Sequence, residues 1–398
     1  MDLTRQMVID KSMSANTRFS LKQSDCAHQP SSNEEGHVTN QTRRTLLKAA
    51  LFGAATPLSL LGCSSVQHTD SKTPHLIGCS ITGRDRYSVV VANEWGKPIR
   101  TIALPDRGHG IAINSQLHHA VAFARRPGSF FVVFDYTTGE VIQRAAASNG
   151  RHFYGHGVYS NDRRWLYATE GNSLTSEGII GVYDVKAGYE KVAEFSGFGI
   201  GPHEVIVMPD DQLVIGVGGV HTDGRTALNI DTMSPNLSYL NANGGLVDQV
   251  GLDDAQLSIR HLAHDGEKTV LCGQQYRGTP DDSPSLLAMH TSGEGMVSLQ
   301  AEPEQWARFN HYIASIAATQ DWILATSPRG NCYGIWSKHT QRLVELSALP
   351  DASGVVAHNN EFFVSSGSGS VIHQLSPDSR KVYQSGVQWD NHWTQIIR

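Results

Sequence analysis

The chain has 398 residues, 38 of them glycine, with 18% charged residues and a formal net charge of −6. A negative balance excludes the electrostatic footprint of a nucleic-acid binder. The length allows one large domain or two smaller ones, and abundant glycine with few charges suits a turn-rich all-β protein.

Residues 1–63 read as a leader. Thr42-Arg43-Arg44-Thr45-Leu46-Leu47-Lys48 matches the twin-arginine export signal, with Arg43 and Arg44 as the pair, and thirteen uncharged, mostly apolar residues follow from Ala49 to Leu61. A membrane-spanning helix needs roughly 20 apolar residues, so this stretch suits a signal-peptide core instead. Pro57 and Gly62 argue against a buried helix. Leu60-Leu61-Gly62-Cys63 resembles a lipobox, which makes Cys63 the expected lipidation site, with a freely soluble periplasmic form as the alternative. The expected address is the periplasm, the expected partner is the twin-arginine (Tat) export machinery, and any membrane contact runs through the lipid anchor. Either the polar stretch 1–41 extends the leader or translation starts nearer Met13. The leader carries seven Lys/Arg and five Asp/Glu, so the remainder of the chain carries a net −8. Residues 64–74 are read as a linker and 75–398 as the folded domain.

From residue 75 onward, short β-branched and aromatic runs are broken by Gly, Asn, Asp and Pro every six to twelve residues, as expected of many short antiparallel strands. Expected first strands lie near Leu76–Ile81, Ser88–Ala92 and Ile99–Leu104. Gly108-His109-Gly110-Ile111-Ala112-Ile113-Asn114 then recurs as Gly155-His156-Gly157-Val158-Tyr159-Ser160-Asn161 and as Pro202-His203-Glu204-Val205-Ile206-Val207-Met208. The three histidines are 47 residues apart, twice. Weaker echoes begin at Ser258, His311, Ser353 and Asp390, the last being Asp390-Asn391-His392-Trp393-Thr394, which makes seven. Second strands are expected at Ala120–Ala124, Trp165–Thr169, Leu213–Val217, Thr269–Gly273, Ile323–Thr326 and Phe362–Ser365. Third strands end in hairpin signals such as Asp135-Tyr136-Thr137-Thr138-Gly139. Four strands per repeat make a propeller blade, and a period of this length marks a repeat architecture. The chain is therefore expected to be a seven-bladed β-propeller whose N-terminal strands and C-terminal strand share one blade. A pair of sandwiches would leave the period unexplained.

Cysteine usage adds little. Cys26 leaves with the leader, and Cys79, Cys272 and Cys332 are widely spaced and odd in number. They read as small buried strand residues, with one disulfide among three pairings as the alternative in an oxidising compartment.

Several stretches, among them Tyr154-Gly155-His156-Gly157-Val158-Tyr159-Ser160, Gly199-Ile200-Gly201-Pro202-His203-Glu204, Leu228-Asn229-Ile230-Asp231-Thr232-Met233, Ala325-Thr326-Ser327-Pro328-Arg329-Gly330 and Trp389-Asp390-Asn391-His392, resemble the exported bacterial family catalogued as domain of unknown function 1513. The resemblance implies a propeller over roughly residues 75–398 and no assigned reaction. It also implies periplasmic iron-uptake proteins as partners, because such proteins tend to be encoded near imelysin-type proteins.

In a propeller the innermost strands line the central channel and start on one face. His109, His156, His203 and His392 fall at such starts and are expected to converge near one mouth, with Glu204 and Arg260 beside them. The loops after the second strands open onto the same face and carry Arg125, Glu170, His221 with Asp223, Gln275 and Arg329. Glu170, Glu204, His221, Arg260 and Arg329 are the candidate ligand contacts at this mouth. Converging neutral imidazoles suit iron, copper or zinc. The competing reading is that each histidine braces its own blade. Three functions remain open on the sequence alone: a non-enzymatic binding or accessory propeller, for iron or another metal; a metal-dependent hydrolase of the lactonase type using Glu170 or Glu204; and a scaffold tethered through Cys63. No catalytic residue is assigned.

Overall fold

A computed structural model of the protein describes residues 71–397. Arg43, Arg44 and Cys63 lie outside the described residues. Seven four-stranded antiparallel sheets form the blades of a β-propeller. The innermost strands are Gly108–Asn114, Arg151–Tyr159, Pro202–Val207, Leu257–His264, Ser315–Ala318, Ala352–His358 and Trp389–Gln395, in blades 1 to 7. Blade 7 pairs Trp389–Gln395 with Leu76–Thr82, so strands from the two ends of the domain close the ring.

The strands follow from local chemistry. Second and third strands such as His119–Ala124 and Phe130–Asp135 are almost continuously buried, because both faces of a blade meet neighbouring blades. Outer strands such as Val141–Ala146 are largely exposed and carry polar side chains. Hairpins form where the sequence supplies turn chemistry: Asp135 Oδ1 accepts from the amides of Thr137 at 2.7 Å and Thr138 at 3.0 Å. The apolar core is divided into seven clusters, one for each junction between adjacent blades. One of them joins Ile77, Val89 and Val91 of blade 7 to Ala120, Ala122, Val132 and Phe134 of blade 1, which seals the ring by burial as well as by strand pairing. Cys79, Cys272 and Cys332 are all buried and free, and burial pushes their thiols up, as expected of inert packing residues.

Blade 5 departs from the repeat. A short helix, Pro303–Ala307, precedes its inner strand and is closed by a capping box between Glu302 and Gln305. It buries Trp306, which stacks on Trp336 with centroids 5.3 Å apart. The chain leaves this helix through Asn310 and His311 with positive φ, and the strand starts at Ser315 rather than at the expected His311. His311 is thereby turned outward and its Nε2 contacts the Asp282 carbonyl oxygen at 2.6 Å.

Candidate metal and anion site in the central channel

The inner strands are not regular ladders. In blades 1, 2, 3, 4, 6 and 7 the pairing with the second strand skips residues. The skipped residues include His109, between Gly108 and Ile111, and His156, between Phe153 and Gly157. They also include His203, between Pro202 and Glu204, and His392, within the gap between Trp389 and Trp393. A β-bulge leaves its extra residue out of the ladder and re-aims the side chain, here into the channel. In blade 4 the skipped residue is Arg260, and the adjacent His261 also enters the channel.

Five imidazoles consequently pack together. Ring centroids lie 4.7 Å apart for His109–His156, 4.7 Å for His156–His203, 4.7 Å for His203–His261, 4.7 Å for His261–His392 and 4.5 Å for His392–His109. All five side chains are buried. Ligand atoms of His109, His156 and His203 lie within 4.8 Å of one another, as do those of His156, His261 and His392, so His156 belongs to both triads. The glycines of the repeat make room: a Cβ on Gly155, whose φ is +101°, would sit 2.8 Å from His109 Cδ2. One on Gly110 would sit 2.8 Å from His156 Nδ1. Thr169 Oγ1 holds the frame by donating to the carbonyl oxygens of His156 at 3.0 Å and His203 at 3.1 Å.

Burial makes these imidazoles neutral. It holds His156 down to about 4 and His261 down to about 3, and it also lowers His109, His203 and His392, with the neighbouring histidines adding to the effect. Six of their ring nitrogens lack any hydrogen-bond partner among the described residues: His109 Nδ1, His156 Nε2, His203 Nδ1, both nitrogens of His261, and His392 Nε2. None of these six atoms braces its own blade through a hydrogen bond.

The cluster separates two cavities. His156, His261 and His392 line the smaller one, about 170 Å³, together with Glu204. Glu204 Oε1 lies 3.6 Å from His156 Nδ1 and Oε2 lies 3.4 Å from His261 Nδ1, and the Leu262 amide donates to Oε2 at 2.9 Å. Burial raises the Glu204 carboxyl, against the pull of His156 and the Leu262 amide. With neutral imidazoles, these contacts are polar rather than ionic.

The larger cavity, about 420 Å³, is lined by His109 and His203 and by seven arginines, but by no carboxylate among the described residues. Arg107 is neutralised by a two-pronged pair with Asp390, at 2.6 and 2.8 Å. Arg125 and Arg126 follow the second strand of blade 1, Arg277 follows that of blade 4 and Arg329 that of blade 5. Arg225 sits at the tip of the small hairpin Thr222–Asp223 with Thr226–Ala227. Arg260 comes from the blade 4 inner strand, is 3% exposed, and leaves Nε and one terminal nitrogen without partners.

Of the residues expected at the mouth, His109, His203, Arg125, Gln275, Arg260 and Arg329 line this larger cavity. His156, His392 and Glu204 lie on the other side of the cluster. Two expectations are corrected. Glu170 lines neither cavity: it lies fully buried within blade 2, where Tyr183 donates to it at 2.7 Å and Lys191 at 2.8 Å. Strand Trp165–Asn172 runs beyond the expected Thr169, so Glu170 is a strand residue facing its own sheet rather than a loop residue facing the channel. His221 is turned aside as well, with Nδ1 3.1 Å from Ser176 Oγ and its amide bound by Asn229. Sequence reasoning passed over His261, which sat in the fourth echo beside Arg260. It also passed over Arg107, Arg126, Arg225 and Arg277, whose recurrence near strand ends was the available signal.

The solved structure titled Kuenenia stuttgartiensis Hydrazine Synthase is similar in fold, with a TM-score of 0.55 and 14% identity, covering 76% of this chain and 90% of that one. At that identity the likeness concerns the fold alone. The search of curated proteins gave no match. The family described as "Protein of unknown function (DUF1513)" matches over residues 102–396, a span that takes in all five channel histidines and every inner strand, and the chain belongs to that family.

Proposed function

We infer that this propeller is a metal-binding protein that holds a transition-metal ion among His109, His156, His203, His261 and His392. The carrying observation is the set of buried, neutral imidazoles whose unpartnered nitrogens converge. An unsatisfied buried polar atom costs about 1–3 kcal/mol, and one ion would satisfy several at once. Neutral imidazole is the protonation state that ligates metal. An all-imidazole set binds copper or zinc more tightly than iron by the usual affinity order. Glu204 offers a carboxylate on the side of the smaller cavity for an ion that takes a mixed set. The lactonase-type alternative loses Glu170, which is engaged within its blade, and rests on Glu204 alone, beside His156 and His261 in the smaller cavity.

The test is elemental analysis of the exported protein after growth with iron, copper and zinc all supplied. The wild type is expected to retain about one ion per chain and His156→Ala, which breaks both triads, to lose it. Equal metal in both, or none in the wild type, would overturn the reading.

The same reading places the protein outside the cytoplasm, anchored through Cys63, on the strength of the Arg43-Arg44 signal and the lipobox. Replacing both arginines with lysine is expected to trap precursor in the cytoplasm, as followed by fractionation. Normal periplasmic recovery of that variant would rule out twin-arginine export.

A further inference from the structure

We propose that the larger cavity is a binding site for a small organic polyanion bearing several carboxylate or phosphate groups, held by Arg125, Arg126, Arg225, Arg260, Arg277 and Arg329. On a chain whose net charge is −6, six guanidinium groups converge on one cavity that no described carboxylate lines. Like charges at close range repel, and an anion bound among them would offset that repulsion. Arg260 is decisive. It is 3% exposed, two of its nitrogens have no partner, and it lines the cavity between the histidines and the other arginines. A buried guanidinium with unmet donors asks for an oxyanion. Burial together with Arg277 and Arg126 brings it down to about 9, which leaves it charged at neutral pH.

Size and shape narrow the ligand. About 420 Å³ falls within the range of small-molecule sites and exceeds what one inorganic phosphate would fill. Guanidinium forks match the two oxygens of a carboxylate or phosphate in plane. Two of the forks are already held in place by neighbours: Arg126 donates to Thr222 Oγ1 at 2.8 Å and Arg329 lies over the Tyr312 ring at 4.4 Å. His109 and His203 form part of the lining, so an oxygen of the bound anion would face the histidine cluster. That last placement rests on the metal reading above; the anion site does not.

The two readings are separated by measuring anion binding on chelator-treated, metal-free full-length protein. Isothermal titration with citrate and with pyrophosphate, in low salt and again in about 150 mM salt, near the physiological ionic strength, is expected to show saturable one-to-one binding of at least one probe. The stronger of the two identifies the carboxylate or the phosphate source. Arg329→Gln and Arg260→Met are each expected to weaken it about tenfold or more, the loss of one charge-assisted contact. Arg329→Gln, at a less buried position, keeps the test valid if Arg260→Met fails to fold. Absence of binding by both probes, or equal affinity in wild type and Arg329→Gln, would overturn the proposal. Binding without any metal in the histidine cluster would uphold the anion site while the metal reading fell.

Discussion

Metal-free protein is expected to lose most of its stability between pH 6.5 and 4. The unfolded chain binds protons on its histidines below their ordinary value of 6.5, whereas folding holds His156 down to about 4 and His261 down to about 3. A depressed imidazole therefore contributes stability that is intact above 6.5 and is lost as pH falls toward the folded value. Each such group costs about 1.4 kcal/mol per pH unit within that window. His156 and His261 would each remove about 3 kcal/mol by pH 4, and His109, His203 and His392 act in the same direction. Against a usual domain stability of about 5–15 kcal/mol the sum is decisive. Glu204 works the other way, since its raised carboxyl takes up a proton more readily in the folded state, but it is one group against five. Urea titrations at half-unit pH steps would measure this, and the His156→Gln, His261→Gln double variant should lose markedly less stability over the same range. A wild type equally stable at pH 7 and 4.5 would contradict the burial of neutral imidazoles. Bound metal is expected to hold the protein together to lower pH, until protons displace it.

The second large effect concerns Glu170, which has left the channel for the interior of blade 2. Lys191→Met would strand a carboxylate that has no exposed surface, leaving only the Tyr183 hydroxyl to satisfy it. Removing one partner of a buried ion pair costs about 3–5 kcal/mol, whereas replacing both is close to neutral. Denaturant unfolding should show that loss for Lys191→Met and recovery of most of it in Glu170→Gln, Lys191→Met. A single variant as stable as wild type would mean that the pair adds nothing. Metal content should be unchanged in both, because neither residue reaches the histidine cluster.

The repeat and its punctuation determined the architecture. The 47-residue spacing of His109, His156 and His203, the apolar second and third strands, and the lone strand around His392 specify blades, their number and the closure of the ring. These are local patterns with a fixed period, and the propeller is the arrangement that hides both faces of every such sheet. His109, His203, Arg260 and Arg329 could be placed on one mouth by strand direction alone.

What the tertiary structure decided is where each side chain points. Alternation along a strand predicts two faces, but bulges shift that register by one residue at His109 and His203 and by two at His156 and His392, and the cluster divides along the same line, with His156 and His392 on one side and His109 and His203 on the other. A one-residue shift brings His261 in beside Arg260, and the inserted helix turns His311 out. Glu170 shows the limit most plainly: extension of its strand from the expected Thr169 to Asn172 converts a channel-facing loop carboxylate into half of a buried pair with Lys191. Charge clustering was hidden for a related reason. Arg107, Arg125, Arg126, Arg225, Arg260, Arg277 and Arg329 come from four blades and from both sides of the strand ends, and only closure of the ring makes them neighbours.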